Sequence, residues 1–176
     1  MGLESIYQGA LMEHNSYPTC KYPLDEATHV HEGVNPSCGD DIVLSLIVED
    51  GVIVEAAFQG SGCAISQASA DIMAELVTDK TVEEAEALAE TFLAMIRGEE
   101  LTEEQKASLG EAAELEGISR MPARVKCAQL GWRTLKQIID EGEDAGSGNS
   151  DFEALDGEDP AQAAAEAAAV RAAGIE

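Results

Sequence analysis

The chain has 176 residues, of which 45% are hydrophobic, and this is enough to form one sizeable core in a single domain. Its 35 acidic residues far outnumber its 10 Lys and Arg residues, which gives a formal net charge of -25. Such a surface lacks the cationic face that nucleic acid needs, and it is repelled by anionic lipid. With no apolar run long enough to cross a bilayer and no signal-like N-terminal segment, the sequence predicts a soluble, cytoplasmic protein.

Helical and strand-like patterns alternate along the first 140 residues. A strong hairpin signal, Glu49-Asp50-Gly51, separates two runs rich in β-branched residues. Thr81 followed by Glu84 has the spacing of a capping box at a helix start. The predicted elements are a helix over 3–15, a strand over 27–32, strands over 41–49 and 52–59, helices over 64–77 and 82–97, a short helix with loops within 99–117, and a helix over 122–140.

The composition changes after Glu141, first to Gly, Ser, Asp and Glu and then to an Ala-rich stretch. Residues 141–176 contain ten acidic residues and one Arg, and residues 160–173 have almost no large apolar side chain to bury. We therefore expect one folded domain over 1–140 and an acidic, Ala-rich, disordered or weakly helical tail over 141–176.

Three of the four cysteines lie where one predicted element gives way to the next. Cys38 occupies the turn Asn-Pro-Ser-Cys-Gly-Asp, which also contains Asp40, while Cys63 separates the last strand from a helix and Cys127 lies near the start of the final helix. Three thiolates and one carboxylate would make a tetrahedral site that suits zinc. Their spacing is too long for a zinc-finger knuckle, so only the fold can bring them together.

The local surroundings of these side chains predict their reactivity. Cys63 at a helix N-terminus is expected to favour the thiolate, and Arg124 and Lys126 are expected to lower the pKa of Cys127. The alternatives stay open, because a single cysteine is often a small buried hydrophobe and an Asp after Gly is a common turn residue.

Residues 35–69 and 121–135 resemble the NifU-like/IscU-like family of iron-sulfur assembly proteins. The motifs that carry the resemblance are a Cys-Gly-Asp turn, a Gly-x-Gly-Cys-x-Ile-Ser junction and a third cysteine before a helix, and the similarity extends over roughly residues 3–140. The resemblance implies an α+β protein of the SufE/NifU-like fold, in which about five helices cover a small three-stranded antiparallel sheet.

Within that family the chain resembles the SufU type, which comprises zinc-dependent sulfurtransferases. That resemblance implies that Cys38 accepts persulfide sulfur from a SufS-like cysteine desulfurase and that a downstream iron-sulfur scaffold receives it. The chain would then act as a sulfurtransferase in partnership with the desulfurase. The implied zinc ligands are Cys38, Asp40, Cys63 and Cys127, supported by Arg124 and Lys126.

Two other functions use the same thiolates. An IscU-type scaffold would bind iron or a transient [2Fe-2S] cluster, and a structural zinc module would use the thiolates as a closed site that serves only to bind a partner. Scaffold-type members have His before the third cysteine, whereas this chain has Lys126, and residues 99–117 resemble an insertion of the SufU type. Both features favour the sulfurtransferase.

Three further side chains could bind metal but receive a simpler interpretation. Cys20 has no counterpart in the family and is predicted to be a spare thiol, with a relay or an extra ligand as the alternative. His29 and His31 alternate along one face of the first predicted strand, and without an acidic or cysteine neighbour in register they are predicted to be surface residues.

Overall fold

The computed structural model describes residues 9–141 and 148–151. Within these residues, five α-helices cover a sheet whose first three strands are antiparallel, as predicted. No helix among them is both long enough and apolar enough to cross a membrane. The elements are α1 (Ala10–Ser16), β1 (His29–Asn35), β2 (Asp40–Glu49), β3 (Val52–Ser61), α2 (Ala64–Val77), α3 (Val82–Ile96), α4 (Glu103–Leu109), a 3₁₀ helix (Gly110–Arg120), α5 (Pro122–Glu141) and β4 (Gly148–Asp151).

Two tight turns set the register of the antiparallel strands. Asp50 and Gly51 have φ values of 51° and 76°, the left-handed pair of a type I′ turn, and they connect β2 to β3 where the hairpin signal predicted a turn. A second turn connects β1 to β2 and pairs Asn35 directly with Asp40. That turn contains Cys38, so the hairpin geometry places the thiol at one end of the sheet.

A fourth strand, β4, lies at the sheet edge and pairs in parallel with β1, giving the order β3-β2-β1-β4. The sequence analysis did not predict it, because the pattern of this short polar stretch indicates no strand. Of the other residues in the predicted tail, Glu141 ends α5, and residues 142–147 and 152–176 lie outside the described residues. The domain boundary near residue 140 therefore stays a prediction.

The core lies between one face of the sheet and the helices α2, α3 and α5. Phe92 of α3 stacks on Trp132 of α5 with ring centroids 4.3 Å apart, and both side chains are fully buried. The Trp132 indole nitrogen donates to Ser69 Oγ at 3.1 Å, and that hydroxyl donates to the Ala128 carbonyl at 2.7 Å. These contacts fix α2 against α5, and thereby fix where Cys63 and Cys127 lie relative to each other.

His29 and His31 are buried, with 7% and 1% exposure, so the prediction that they are surface residues is wrong. Burial alternates along β1, and both histidines share the inward face with Gly33 and Asn35. Nδ1 of His31 lies 3.7 Å from a carboxylate oxygen of Glu141, at the end of α5. The sequence pattern failed here because polar side chains occupy the helix-covered face of the strand.

The first described helix is attached to the core through His14, which is only 7% exposed. Nδ1 of the ring lies 2.6 Å from Asp71 Oδ2 on α2, and Nε2 lies 2.6 Å from Glu111 Oε2 on the 3₁₀ helix. One imidazole thus connects three elements.

We expect the metal-free protein to lose stability as the pH rises through the pKa of His14. Burial lowers this pKa, but hydrogen bonds to Asp71 and Glu111 outweigh that effect and raise it above the usual 6.5. Folding therefore favours the protonated ring. The contribution of this ring to the stability of the folded protein is complete below about pH 6.5 and is lost as the pH rises through the pKa of His14. Urea unfolding at several pH values should show this decline, and His14→Gln should flatten it. An equally steep decline in the variant would contradict the assignment to His14.

Candidate functional site

The predicted thiols come together at one end of the sheet, where the β1–β2 turn meets the N-terminal ends of α2 and α5. Cys38 Sγ lies 3.0 Å from Cys127 Sγ. One donor atom from each of Cys38, Asp40 and Cys127 lies within 4.8 Å of the other two. Three of the four predicted ligands therefore form one group, although 89 residues separate the two cysteines in sequence.

Cys63 lies beside this group, at the N-cap of α2. Its sulfur accepts a hydrogen bond from the Ser66 backbone N–H at 3.5 Å. A hydrogen bond from the Cys127 thiol and the bond from Ser66 lower the pKa of Cys63 to about 6, although burial opposes them. The expected thiolate at this helix N-terminus thus receives most of its stabilisation from the neighbouring thiol.

The pKa of Cys127 is raised, in contrast to that of Cys63, so the prediction that Arg124 and Lys126 lower it is wrong. The hydrogen bond with Cys63, full burial and the contact with Cys38 raise the pKa of Cys127. The contact between these two thiols therefore favours the negative charge on Cys63 and the proton on Cys127. Arg124 and Lys126 are partly exposed on the first turns of α5, and their supporting role at the site stays a prediction.

The carboxylate of Asp40 is fully buried and connects the parts of the site. Its Oδ1 accepts hydrogen bonds from the Cys63 backbone N–H at 2.8 Å and from Ser66 Oγ at 3.2 Å. Gly62 permits this close approach, since a Cβ there would lie 2.5 Å from both Asp40 Oδ1 and Ser66 Oγ. The carboxylate therefore fixes the β1–β2 turn against the start of α2.

Asn35 is a site residue to which the sequence analysis gave no role. Its fully buried amide donates to Asp40 Oδ2 at 3.2 Å and lies 3.8 Å from Cys127 Sγ. The amide oxygen is buried without a hydrogen-bond partner among the described residues. Asn35 begins the turn that ends at Asp40, so the hairpin register is the signal that could have identified it.

The donor set fits a single zinc ion. Zinc–sulfur distances near 2.3 Å in a tetrahedron separate neighbouring ligand atoms by about 3.8 Å. The donor atoms of Cys38, Asp40 and Cys127 are within 4.8 Å of one another, and Cys63 is in contact with Cys127. A small widening between Cys38 and Cys127, together with an inward shift of Cys63 from beside the group, would accommodate the ion, and the residues that would hold it are those four.

The three thiols differ in accessibility. Cys127 is fully buried, and Cys63 is half-buried and engaged as a helix cap. Cys38 lies on a turn whose other residues, Pro36, Ser37 and Gly39, are exposed. Cys38 itself is half-buried like Cys63, but its sulfur does not cap a helix, which leaves it the freer of the two to react with a partner that approaches from solvent.

Cys20 is placed elsewhere, in the loop after α1. Its backbone N–H donates to Asp71 Oδ1 at 2.7 Å, and Asp71 lies two turns along α2 from Cys63, or about 12 Å. Burial, with the charges of Asp71 and Glu75, raises the pKa of the Cys20 thiol to about 11. A protonated thiol at this position is a poor nucleophile, in keeping with a spare cysteine.

Residues 6–141 match the family described as NifU-like N terminal domain. The chain is 42% identical over 139 residues to the iron-sulfur cluster assembly scaffold protein IscU of Thermotoga maritima, which covers 79% of this chain and 96% of that protein. It is 34% identical over 137 residues to the zinc-dependent sulfurtransferase SufU of Bacillus subtilis, which covers 78% of this chain and 91% of that protein.

A solved structure has a similar fold. It is the crystal structure of a candidate iron-sulfur cluster assembly scaffold protein for the SUF system from Fervidobacterium islandicum. The TM-score is 0.72 at 33% identity, with 78% of this chain and 99% of that chain covered. Relatives described as scaffold and as sulfurtransferase thus align over the same part of the chain.

Proposed function

Since the chain belongs to the NifU-like N-terminal domain family, we propose that it is a zinc-dependent sulfur carrier in iron-sulfur cluster assembly. Cys38 accepts persulfide sulfur from a cysteine desulfurase of the SufS type and passes it to a downstream iron-sulfur scaffold. In this role the chain works as a sulfurtransferase with the desulfurase as its partner.

One observation carries the proposal: a half-buried thiol on an exposed turn is grouped with a buried thiol and a buried carboxylate within the span of a single metal ion. A sulfur acceptor needs a thiolate that is protected at rest and still reachable by a partner protein. Cys38 meets both needs, because its turn is exposed while its sulfur contacts Cys127.

Sulfur transfer is an exchange at a sulfur–sulfur bond. The Cys38 thiolate attacks the outer sulfur of the desulfurase persulfide, a new bond forms between the two sulfurs, and the desulfurase cysteine leaves as a thiolate with the electron pair. The proton on the outer sulfur stays with it, so Cys38 becomes a persulfide. The sulfur keeps its oxidation state and the step needs no oxidant or reductant, as in thiol-disulfide exchange.

The chain's other residues hold Cys38 ready for this attack. Zinc bound by Cys38, Asp40, Cys63 and Cys127 would keep the thiols deprotonated at neutral pH without redox chemistry of its own. Asn35 and Ser66 orient Asp40 through hydrogen bonds to its two oxygens.

The N-terminal end of α5 lies beside the reacting sulfur. Cys38 Sγ is 3.8 Å from the Ala123 carbonyl oxygen, one residue before Arg124 and three before Lys126. Arg124 and Lys126 therefore lie on the stretch of α5 that borders the reacting sulfur, and we include them in the proposal as residues that support the site.

A cluster scaffold is the second candidate, favoured by the higher identity to the relative described as a scaffold, 42% against 34%. A [2Fe-2S] cluster shares its ligands between two metal centres, so it needs a wider spread of donors than one ion does. The tight group around Cys38 and the presence of Lys126 before Cys127 support the single ion. A purely structural zinc module needs no ligand on an exposed turn, so Cys38 argues against it.

We expect anaerobically purified protein to contain about one zinc per chain at the thiol site and to be colourless. Mixed with a SufS-type desulfurase and cysteine, it should stimulate sulfur release and carry a persulfide that mass spectrometry assigns to Cys38. Iron in place of zinc, with visible thiolate-to-iron absorption, would instead identify the scaffold. Zinc without any stimulation would identify the structural module.

A further inference from the structure

A second group of metal-ligating side chains lies away from the thiols, between α1 and α2. Donor atoms of His14, Asp71 and Glu75 all lie within 4.8 Å of one another. We propose that these three side chains bind a divalent transition metal, with zinc as the best fit, and that water completes the coordination. This site is independent of the sulfur chemistry proposed for Cys38.

The backbone presents the three donors to one point. Asp71 and Glu75 are four residues apart on α2, so their side chains lie on the same helix face. His14 approaches that face from α1, with Nδ1 2.6 Å from Asp71 Oδ2. Asp71 is fully buried and His14 is 7% exposed, whereas Glu75 is exposed at the rim and leaves a path for an ion to enter.

Outer contacts orient the ligands as they do in metal sites. Nε2 of His14 lies 2.6 Å from Glu111 Oε2, and a metal-binding imidazole usually donates its second N–H to such a carboxylate. When a metal displaces the proton on Nδ1, Nε2 keeps its proton for Glu111, and the lone pair of Nδ1 faces Asp71. Asp71 is itself held by the backbone N–H groups of Cys20 at 2.7 Å and Thr19 at 3.2 Å.

The charge of the group also favours a cation. Three carboxylates, those of Asp71, Glu75 and Glu111, surround one imidazole, so negative charge exceeds positive charge even when His14 is protonated. A divalent ion balances this excess. One imidazole and two carboxylates suit zinc, which often has three protein ligands and an open fourth position.

A proton on His14 is the competing occupant, because an imidazolium can donate to Asp71 and Glu111 at once. The decisive experiment therefore counts metal. Wild-type protein and Glu75→Ala are dialysed against buffer with a fixed free zinc concentration in the micromolar range, and bound zinc is measured by elemental analysis. Glu83→Ala, another exposed glutamate, on α3, is the matched control.

Wild type and Glu83→Ala should hold about one zinc more per chain than Glu75→Ala. Glu111→Gln should retain this extra zinc at saturation but bind it about 10- to 100-fold more weakly, as expected for loss of an outer-sphere carboxylate. Equal zinc in wild type and Glu75→Ala would overturn the proposal. So would an extra zinc that Glu111→Gln binds with unchanged affinity.

The readout is a difference between variants that share an intact thiol centre. It therefore does not depend on whether that centre holds zinc, iron or nothing. The same comparison is repeated with Cys38→Ala present in both proteins, and the variant that also carries Glu75→Ala should again hold about one zinc fewer. The experiment therefore distinguishes failure of the proposed metal site at His14 from failure of the proposed sulfur transfer at Cys38.

Discussion

Cys38→Ala is expected to reduce sulfur acceptance to background. The variant removes the proposed acceptor thiol, and the other two thiols of the site are less available, because Cys127 is fully buried and the Cys63 sulfur caps α2. Because Cys38 lies on a turn with exposed neighbours, the free energy of unfolding of the metal-free protein should change by about 1 kcal/mol or less. Desulfurase stimulation and persulfide mass spectrometry measure the first effect, and urea unfolding measures the second.

Cys20→Ala is the matched control for this experiment. Cys20 is also half-buried, but its thiol contacts Thr19 and lies near Asp71, away from the Cys38 group. The control should accept sulfur at the wild-type level. A persulfide found on Cys20 or Cys127, or full stimulation by Cys38→Ala, would show that the acceptor is misassigned.

Cys127→Ala is expected to lose zinc and much of the protein's stability together. The thiol is fully buried and contacts Cys38, Cys63 and Asn35, so its removal opens a small cavity and leaves the Asn35 amide with one partner fewer. Loss of metal removes a linked stabilisation of about 4 kcal/mol at a free zinc concentration 1,000 times the Kd. Elemental analysis and thermal unfolding with and without zinc test this expectation.

Chelation supplies the control for the Cys127 variant. When wild-type protein is stripped of zinc, its unfolding temperature should fall most of the way to that of the variant. Adding zinc back should raise the unfolding temperature of the wild type only. If Cys127→Ala binds zinc and unfolds like wild type, Cys127 is not a ligand.

Several elements of this protein can be predicted from sequence because their signals are local. The helix over 64–77 has the predicted boundaries, since its apolar spacing begins directly after Cys63, which caps the first turn. Thr81 and Glu84 form the predicted capping box, and Asp50 with Gly51 form the predicted hairpin turn. Each of these signals lies within a few residues of the structure that it specifies, so the local sequence is enough to predict it.

Other features arise only when distant segments meet. The Cys127 pKa is raised because Cys63, Cys38 and burial act on it, whereas sequence neighbours suggested a lower value. The inward face of β1 accepts His29 and His31 because helices cover it, which residue polarity does not reveal.

The sequence by itself determined which thiols and which carboxylate could share a site, because their motifs stand at element junctions. Tertiary structure decided that Cys38, Asp40 and Cys127 form the tight group and that Cys63 lies beside it. It also decided that His14 meets Asp71 and Glu111, which are 57 and 97 residues away. Contacts of that range depend on how helices pack on the sheet, and packing is a property of the whole core rather than of any local segment.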